Sequence, residues 1–418
     1  MSKFIIKGGY KLAGEIEVKG MKNAATPVLS ATLLTDETCE IGRLPDILDV
    51  RAILDIMESL GAKINRKKGR VEINAREANI LALDKNKVQA MRSSILLLAP
   101  LLARFKKVKI PSPGGCIIGN RPIDTHLYVF KKLGAQIIKE GDEYSLSCPQ
   151  LKGANIILPE FSVTATENAL MAAVCASGET VIKMAAAEPH VQDLAVFLGK
   201  MGAKIEGAGT HTIKIKGVKK LHGVSHEIIP DQIEVGTFAV AAAATHSEIL
   251  IKNVVPEHLD IILVKLSEIG VKYELGPDYL RILPSTGYRA FKLQSLPYPG
   301  FPTDLQAPFS ILATQAKGTS LIHDPLFEAR LSHIQELIKM GANAVICDPH
   351  RVLISGPTPL FGQEIKSPDL RAGATLIIAG LIANGITEIS QAEIIDRGYE
   401  QIETRLSRLG AKIERIND

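Results

Sequence analysis

Tryptophan is absent from this sequence of 418 residues, and aromatic residues as a whole make up only 5% of it. Proteins that bind single-stranded nucleic acids stack the bases on aromatic side chains, and this chain offers few such surfaces. An excess of positive charge is also missing, because the net charge is only +4 and the basic residues are dispersed. The one basic cluster, RKKGR at 66–70, is typical of a charged hairpin turn. We therefore expect no nucleic-acid partner.

Long apolar runs are missing as well. The most apolar segment is ATLIIAGLIA at 374–383, which is too short to span a bilayer. The first residues, MSKFIIKGGYKLAGE, lack the apolar stretch of a secretory signal peptide. These absences predict a cytoplasmic protein without a membrane partner. Nothing in the sequence reports on its oligomeric state, so a monomer is the default expectation.

Cysteines are few and irregularly placed. The chain has five of them, and none occurs in a CxxC pair, which speaks against both a disulfide framework and a zinc site. His126 has no second ligand at metal spacing, so we interpret it as a packed or hydrogen-bonded histidine. The glycines at 114–119 match neither the dinucleotide-binding nor the P-loop pattern. We expect no metal and no cofactor.

Cys116 differs from the other cysteines because it lies in the glycine-rich segment PGGCIIGNRPIDTH at 113–126. This segment is interpreted as a loop between a strand at 106–110 and a helix that begins at Arg121. A thiol that is exposed near several cations ionises and reacts more readily than a buried one. From the residues alone, a reactive loop thiol and an inert cysteine are equally good interpretations.

One short phrase, Leu-Gly-Ala or a close variant, recurs six times at intervals of about 70 residues, which indicates an internal repeat. An amphipathic helix precedes each phrase, and a hairpin of alternating residues follows the first five. Upstream, each repeat has a second helix that is rich in small apolar residues and is therefore expected to be buried. The six phrases lie at 60–62, 133–135, 201–203, 269–271, 340–342 and 409–411.

The sixth repeat is incomplete, because only one strand follows its phrase. The missing strands are predicted at the N-terminus, in residues 3–18, which makes one domain discontinuous. The sequence thus predicts an α/β protein of two similar domains, each built from three repeated β/α units with buried inner helices. The first domain is predicted at 22–229 and the second at 1–21 with 230–418, with a ligand-binding cleft between them.

Arginines occur where helices are predicted to begin, although the positive end of a helix disfavours cations unless an anion binds there. The pattern indicates an anion site. Acidic residues also occur at such positions, and the simpler interpretation of Glu167 and Glu234 is that they cap their helices. The arginines are Arg92, Arg121, Arg371 and Arg397, and the predicted starts of outer helices are Arg121, Glu188, Arg330 and Arg397.

Seven stretches, in order and from end to end of the chain, resemble the motifs of the UDP-N-acetylglucosamine enolpyruvyl transferase family. This resemblance implies the inverse, or inside-out, α/β barrel fold, with its two domains around a closing cleft. The stretches are GMKNAA at 20–25, GGCIIGNRPIDTH at 114–126, SVTATEN at 162–168, GFPTDLQAPF at 300–309, FEARLSHIQELIKMGA at 327–342, DLRA at 369–372 and IIDRGYEQIE at 394–403.

The resemblance also implies an activity. Members of the family transfer the enolpyruvyl group of phosphoenolpyruvate to the 3-hydroxyl of UDP-N-acetylglucosamine and release phosphate, which begins peptidoglycan precursor synthesis for the cell wall. Such an addition and elimination needs a proton donor, a base and a cationic cradle for phosphate and carboxylate. Both substrates are small molecules.

The resemblance further implies roles for individual residues. Asp304 would accept the proton of the sugar hydroxyl, and Cys116 would be the loop thiol that serves as proton donor and is alkylated by fosfomycin. The phosphoenolpyruvate site would consist of Lys22, Asn23, Arg121 and Arg397, with Lys22 and Arg397 also acting in catalysis. The nucleotide-sugar site would consist of Arg92, Arg121, Pro122, Ile123, Asp124, Thr125, Ser162, Val163, Thr164, Asp304 and Leu326.

Two positions depart from the family pattern. Thr164 replaces a glycine that would leave the backbone free, and Gln232 stands where arginine is common. Three other functions are weighed against the implied one: enolpyruvyl transfer to shikimate 3-phosphate, a non-catalytic paralogue that only binds UDP-N-acetylglucosamine, and a ring of six repeats that encircles DNA. The GGC loop and the GFPTD and DRGYE motifs favour the nucleotide sugar as acceptor.

Overall fold

The computed structural model describes residues 2–111, 114, 119 and 122–417, which group into two compact units. We call residues 2–19 and 230–417, with Gly119, the terminal unit. The other described residues, from 20 to 229, form the central unit. Apart from Gly119, the described chain therefore leaves the terminal unit after its first strands and returns to it at Pro230.

The strands are short and form six sheets in the described part of the chain, three in each unit. Five sheets have four strands and one has three. The strands are β1 (Ser2–Lys7), β2 (Ala13–Glu17), β3 (Cys39–Gly42), β4 (Lys63–Lys67), β5 (Arg70–Asn74), β6 (Lys107–Pro111), β7 (Gln136–Glu140), β8 (Glu143–Ser147), β9 (Asn155–Ile157), β10 (Glu179–Lys183), β11 (Lys204–Glu206), β12 (Thr212–Lys216), β13 (Ser225–Glu227), β14 (Glu248–Lys252), β15 (Lys272–Leu275), β16 (Tyr279–Leu283), β17 (Lys292–Gln294), β18 (Gly318–His323), β19 (Asn343–Asp348), β20 (Arg351–Gly356), β21 (Glu364–Lys366), β22 (Ile386–Ser390) and β23 (Lys412–Asn417).

The helices alternate with these strands in the order that the repeat predicts. Short 3-10 helices at Thr32–Leu34, Ile80–Ala82, Arg92–Leu97, Pro256–His258 and Ala392–Arg397 accompany them. The α-helices are α1 (Lys22–Ala31), α2 (Leu48–Ser59), α3 (Lys85–Ala90), α4 (Leu98–Phe105), α5 (Asp124–Lys132), α6 (Val163–Ala173), α7 (Pro189–Lys200), α8 (Gln232–Ala244), α9 (Asp260–Ile269), α10 (Thr303–Gln315), α11 (Ser332–Lys339), α12 (Leu370–Ile382) and α13 (Ile402–Arg408).

Three helices in each unit are buried on nearly every side: α1, α4 and α6 in the central unit, and α8, α10 and α12 in the terminal unit. All thirteen residues of α8 are buried, as its run of alanines and apolar residues predicts. A Cβ at Gly236 would lie 2.5 Å from Cδ1 of Leu305 on α10, so the glycine allows these two helices to pack closely.

The sheets and the remaining helices surround this buried helical core. Strands such as β12 alternate between buried and exposed residues, so one face covers the core and the other meets solvent. In α2 the apolar residues Val50, Ile53, Leu54 and Met57 are buried, which confirms the predicted amphipathic stripe. Each unit is thus an inside-out α/β barrel, and the predicted fold class is confirmed.

The sheet pairing explains how the repeats close. β9 pairs in parallel with β10 across helix α6, and β17 pairs in the same way with β18 across α10. β1 pairs antiparallel with β23, with Ser2 opposite Asn417. The N-terminal strand therefore supplies the hairpin partner that the sixth repeat lacks, as predicted.

Some predicted elements differ from the structure. The buried helix predicted upstream of the second Leu-Gly-Ala phrase is not a continuous α-helix, because Arg92–Leu97 form a 3-10 helix and only Leu98–Phe105 are α-helical. Arg397 ends a 3-10 helix and does not begin the outer helix, which starts at Ile402. Glu188 does occupy the N-terminal flanking position of α7, as predicted.

None of the helices in the described ranges is both long and apolar enough to cross a membrane.

Candidate active site

In the terminal unit, the carboxylate of Asp304 lies between two arginines. Asp304 is the second residue of α10, and its Oδ1 accepts a hydrogen bond from Nη2 of Arg330. Its Oδ2 accepts from Nε of Arg371 at 3.1 Å and lies 3.0 Å from Nη2 of the same arginine. Both arginine side chains are almost fully buried, whereas the Asp304 side chain is 25% exposed. The carboxylate can therefore reach solvent while two buried cations hold it.

Arg371 is held from its other side by an aromatic ring. Its guanidinium carbon lies 5.2 Å from the ring centre of Tyr399, within the range of a cation–π interaction. Tyr399 is fully buried, and its hydroxyl lies 2.9 Å from Oγ1 of Thr237. Burial raises the pKa of Tyr399, which keeps the phenol neutral. Arg371 was predicted to belong to an anion site, and the anion that it contacts in the structure is the carboxylate of Asp304.

Two helices of the terminal unit are capped by aspartates. Asp231 caps α8 by accepting from the backbone N–H groups of Ile233 and Glu234, and Asp369 caps α12 in the same way. Glu234 lies inside the first turn and caps nothing, so its predicted capping role is wrong. The aspartate three positions earlier already accepts from two of the N–H groups at this helix start, one of them that of Glu234 itself.

Glu234 instead forms a buried ion pair with Arg405 of α13. Nη1 of Arg405 lies 2.5 Å from Oε1 of Glu234, and Nη2 lies 2.9 Å from Oε2. The same two side chains hold the backbone that follows β2, because Glu234 accepts from the N–H of Lys19 and Arg405 donates to the carbonyl of Glu17. This pair therefore fastens the last residues of the N-terminal segment to the terminal unit.

The buried cap Asp231 predicts a pH effect on stability. Burial raises the pKa of its carboxyl from 3.8 to about 6, and Arg371 only partly offsets this. The folded state therefore binds a proton that the unfolded state releases between pH 4 and 6, so this carboxyl lowers the free energy of unfolding as pH rises. We expect Asp231→Asn, which can still cap α8, to remove that loss, which is about 3 kcal/mol above pH 7.

The measurement is the free energy of unfolding in urea at several pH values from 4 to 8. Asp231→Ala serves as the matched control, because it removes the cap as well as the charge and should be about 1 kcal/mol less stable than Asp231→Asn at every pH. Relative to the wild type, both variants should gain stability as pH rises. Parallel curves for the wild type and Asp231→Asn would show that this carboxyl does not titrate as described.

Two further predicted residues lie elsewhere in the terminal unit. Leu326 follows β18 and is 39% exposed, so its side chain is available to a ligand. Arg397 is half-buried at the end of its 3-10 helix. His333, which the sequence pattern missed, is fully buried three residues after Arg330, and burial lowers its pKa to about 4. It adds no positive charge to the surroundings of the two arginines.

In the central unit, Lys22 is the first residue of α1, and its ammonium lies 2.9 Å from Oδ2 of Asp49. The Lys22 side chain is 15% exposed and that of Asp49 only 4%. Within the described ranges, Met21, the residue before the helix, makes no side-chain capping bond, so no cap satisfies the backbone N–H groups of the first turn near Lys22 and Asn23. A cation and free N–H groups together favour an anion at this helix end.

The three segments predicted to contact the nucleotide sugar lie together in the central unit. Nη2 of Arg92 donates to the carbonyl of Pro122 at 3.2 Å, which joins the first segment to the second. His126 joins the second to the third, because Nε2 lies 3.2 Å from Oγ1 of Thr164 and Nδ1 lies 3.1 Å from Nδ2 of Asn168. His126 is thus a hydrogen-bonded histidine, as predicted.

Asn168 and Ser162 complete this arrangement. Asn168 donates to the carbonyl of Ile95 and accepts from the N–H of Ala99, so it also fastens the helix turn that carries Arg92. Ser162 caps α6, which places Val163 and Thr164 in its first turn. Thr125 is buried and donates to Glu160 at 2.7 Å. The hydroxyl of Thr164, a departure from the family pattern, is used within the protein itself.

Glu167 is another acidic residue whose predicted capping role is wrong. It is the fifth residue of α6, fully buried, and its Oε1 has no hydrogen-bond partner among the described residues. Burial and then the nearby Glu188 raise its pKa well above the usual value. A carboxyl so perturbed is found more often at functional sites than elsewhere. The sequence signal was present, since both glutamates were placed at predicted helix starts of one repeat, but it suggested caps.

Two predicted residues, Cys116 and Arg121, lie outside the described residues. The other four cysteines are free thiols. Burial raises the pKa of both Cys39 and Cys175 to about 11, which makes these two thiols poor nucleophiles at neutral pH. In the part of the chain that the structure describes, no group of three or more His, Cys, Asp and Glu residues is arranged to hold a metal ion.

Several known proteins are similar to this chain in sequence. A family model described as EPSP synthase (3-phosphoshikimate 1-carboxyvinyltransferase) matches residues 6–406. A protein of Carboxydothermus hydrogenoformans named UDP-N-acetylglucosamine 1-carboxyvinyltransferase 2 is 44% identical over 420 residues, which cover 100% of both chains. A protein of Bacillus subtilis with the same name is 44% identical over 100% of this chain and 98% of its own.

Solved structures are similar in fold. The enolpyruvyl transferase NikO from Streptomyces tendae superposes with a TM-score of 0.91 and 24% identity, over 100% of this chain and 99% of its own. EPSP synthase from Acinetobacter baumannii superposes with a TM-score of 0.75 and 20% identity, over 100% of both chains. At such identities these likenesses support the fold alone, and it is the fold inferred above.

Proposed function

Because the chain belongs to the UDP-N-acetylglucosamine 1-carboxyvinyltransferase family, we propose that it transfers the enolpyruvyl group of phosphoenolpyruvate to the 3-hydroxyl of UDP-N-acetylglucosamine. The reaction releases phosphate and is the first committed step of peptidoglycan precursor synthesis. The observation that carries the proposal is the 44% identity to relatives of this name over the whole chain. The partly exposed carboxylate held between two arginines agrees with it.

The proposed chemistry is an addition followed by an elimination. In the addition, C3 of phosphoenolpyruvate takes up a proton, and the sugar oxygen forms a bond to C2 while its own proton goes to a base. In the elimination, C3 loses a proton and the bond between C2 and the phosphate oxygen breaks. The products are phosphate and the enolpyruvyl ether of the sugar nucleotide, so atoms and charges balance.

Asp304 is the proposed base for the sugar hydroxyl. Its carboxylate accepts hydrogen bonds from Arg330 and Arg371, which fix its position at the start of α10. The Asp304 side chain is still 25% exposed, which leaves room for an incoming hydroxyl. A base must lie within hydrogen-bonding distance of the proton that it takes, so a carboxylate with a fixed position suits the role.

The proposed phosphoenolpyruvate site consists of cations and an amide: Lys22, Asn23, Arg121 and Arg397. The free N–H groups at the start of α1 support this assignment, because a helix N-terminus favours the phosphate or carboxylate of the substrate. Asp49, paired with Lys22, keeps the ammonium in place until the anion binds. Cys116 is proposed as the proton donor to C3 and as the thiol that fosfomycin alkylates.

The proposed nucleotide-sugar site draws on the segments joined by His126 and Asn168. Their mutual hydrogen bonds support a preformed site, since a ligand that meets fixed partners loses less entropy on binding. The cap Ser162 leaves other N–H groups of the first turn of α6 free for the diphosphate. The proposed contacts are Arg92, Arg121, Pro122, Ile123, Asp124, Thr125, Ser162, Val163, Thr164, Asp304 and Leu326.

The experiment that tests this function is a phosphate-release assay on the purified protein with phosphoenolpyruvate. We expect release only when UDP-N-acetylglucosamine is added, because its 3-hydroxyl is the attacking group. Shikimate 3-phosphate is the matched alternative acceptor, and equal or faster release with it would reassign the substrate. Binding of UDP-N-acetylglucosamine without any release, measured by calorimetry, would point instead to a non-catalytic paralogue.

A further inference from the structure

Asp324 is a fully buried carboxylate in the terminal unit that the proposed mechanism does not use. It follows β18 directly, at the point where the chain leaves the sheet. Its side chain accepts three hydrogen bonds, and each comes from a different segment of the chain. A buried carboxylate is costly unless its oxygens are satisfied, and here both are. It therefore links segments that are distant in sequence.

The first oxygen of Asp324 reaches the start of α10. Oδ2 accepts from Oγ1 of Thr303 at 2.5 Å and from Oγ of Ser295 at 2.9 Å. Thr303 is the first residue of α10 and immediately precedes Asp304. The hydroxyl of Thr303 thus ties the turn that carries the proposed base to the end of β18. Ser295 lies just after the end of β17, and neither of its neighbours in the sequence is a proposed site residue.

The second oxygen folds the segment that follows β18. Oδ1 accepts from the backbone N–H of Leu326 at 3.0 Å, which closes a turn of the kind that aspartate favours. The same segment leads to Arg330, whose guanidinium contacts Asp304. The backbone of Asp324 is held as well, because its N–H donates to the carbonyl of His350 at 2.8 Å and its carbonyl lies 2.7 Å from Nδ1 of His350.

We propose that Asp324 is a positioning residue, one that sets Asp304 and Leu326 relative to each other through its two carboxylate oxygens. The base and the proposed nucleotide contact are then fixed by one buried group. This inference rests on the proposed function, in which Asp304 takes the proton of the sugar hydroxyl. A displacement of a reacting group by about 1 Å can cost roughly 100-fold in rate, so such a link has a measurable effect.

The test compares two variants that each remove one donor to the same oxygen. Thr303→Val deletes the hydroxyl next to Asp304, and Ser295→Ala deletes the hydroxyl at the end of β17. For Thr303→Val we expect kcat to fall roughly 10-fold with KM for UDP-N-acetylglucosamine within twofold of the wild type. The acidic limb of its kcat–pH profile should shift as well. Ser295→Ala should keep the wild-type kcat and kcat–pH profile. Its Tm should change by about as much as that of Thr303→Val.

Two further variants complete the design. Thr303→Ser keeps the hydroxyl and should restore the wild-type kcat. Asp324→Asn replaces one acceptor oxygen by a donor, so it should lower kcat and also raise KM for UDP-N-acetylglucosamine. Equal kinetics for Thr303→Val and Ser295→Ala, in a wild-type protein that releases phosphate, would overturn the inference alone. No phosphate release by the wild type would overturn the proposed function and this inference with it.

Discussion

Asp304→Asn is expected to lower kcat by about 10²- to 10⁴-fold, because an amide cannot accept the proton that the sugar hydroxyl must lose. The amide keeps the size of the carboxylate, so substrate binding should change much less than turnover. The free energy of unfolding should also fall, since the buried Arg330 and Arg371 would lose the negative charge that both contact. Phosphate release under saturating substrates measures the effect, at a temperature where circular dichroism shows the variant to be folded.

Glu403→Gln is the matched control for this variant. Glu403 also accepts a hydrogen bond from an arginine of the terminal unit, Arg415, at 3.1 Å, but it is assigned no part in the reaction. Its neutralisation should leave kcat within about twofold of the wild type, because it is not a general base. If Asp304→Asn turned over as fast as Glu403→Gln, the base would have to be another group.

Arg405→Met is expected to lower the free energy of unfolding by about 3–5 kcal/mol, because it leaves the buried carboxylate of Glu234 without its partner. The N–H of Lys19 remains bonded to that carboxylate, but the carbonyl of Glu17 loses its donor. Urea denaturation followed by circular dichroism measures the change. The effect should be seen in the unfolding of the terminal unit.

Two control variants distinguish the stability cost of an unpaired buried charge from the cost of simply losing a contact. The double variant Glu234→Leu with Arg405→Met removes both charges, so it should be markedly more stable than Arg405→Met alone. Arg66→Met breaks an exposed pair with Asp55 and Glu58 and should cost about 1 kcal/mol or less. A loss for Arg405→Met as small as that for Arg66→Met would contradict the role of the buried pair.

The repeated fold could be predicted because its signals are local. The period of the Leu-Gly-Ala phrase, the helical stripes and the alternating hairpins all depend on residues close together in the sequence. The pairing of β1 with β23 could be predicted by counting the strands of each repeat, because the hairpin of the sixth repeat lacked one strand. The 3-10 helix at Arg92–Leu97 was missed, since its composition does not distinguish it from an α-helix.

The partners of buried charges could not be predicted in this way. Arg371 was identified as unusual, but its pairing with Asp304 joins residues 67 positions apart and leaves no local pattern. Glu234 and Arg405 are 171 positions apart, and only the packed structure brings them together. Asp324 was missed altogether, because an aspartate after a strand and before a proline is a common turn signal.

The pairing of β1 also imposes an order of events on a chain that is synthesised from its N-terminus. The backbone N–H of Ser2 donates to Glu393, which lies 391 positions further along the chain. At a synthesis rate of about 5–20 residues per second, β1 is made roughly 20–80 seconds before the segments that it contacts. Every residue of the central unit leaves the ribosome in that interval. During translation β1 is thus an unpaired strand, open to wrong partners and to chaperones, until β22 and β23 have been synthesised.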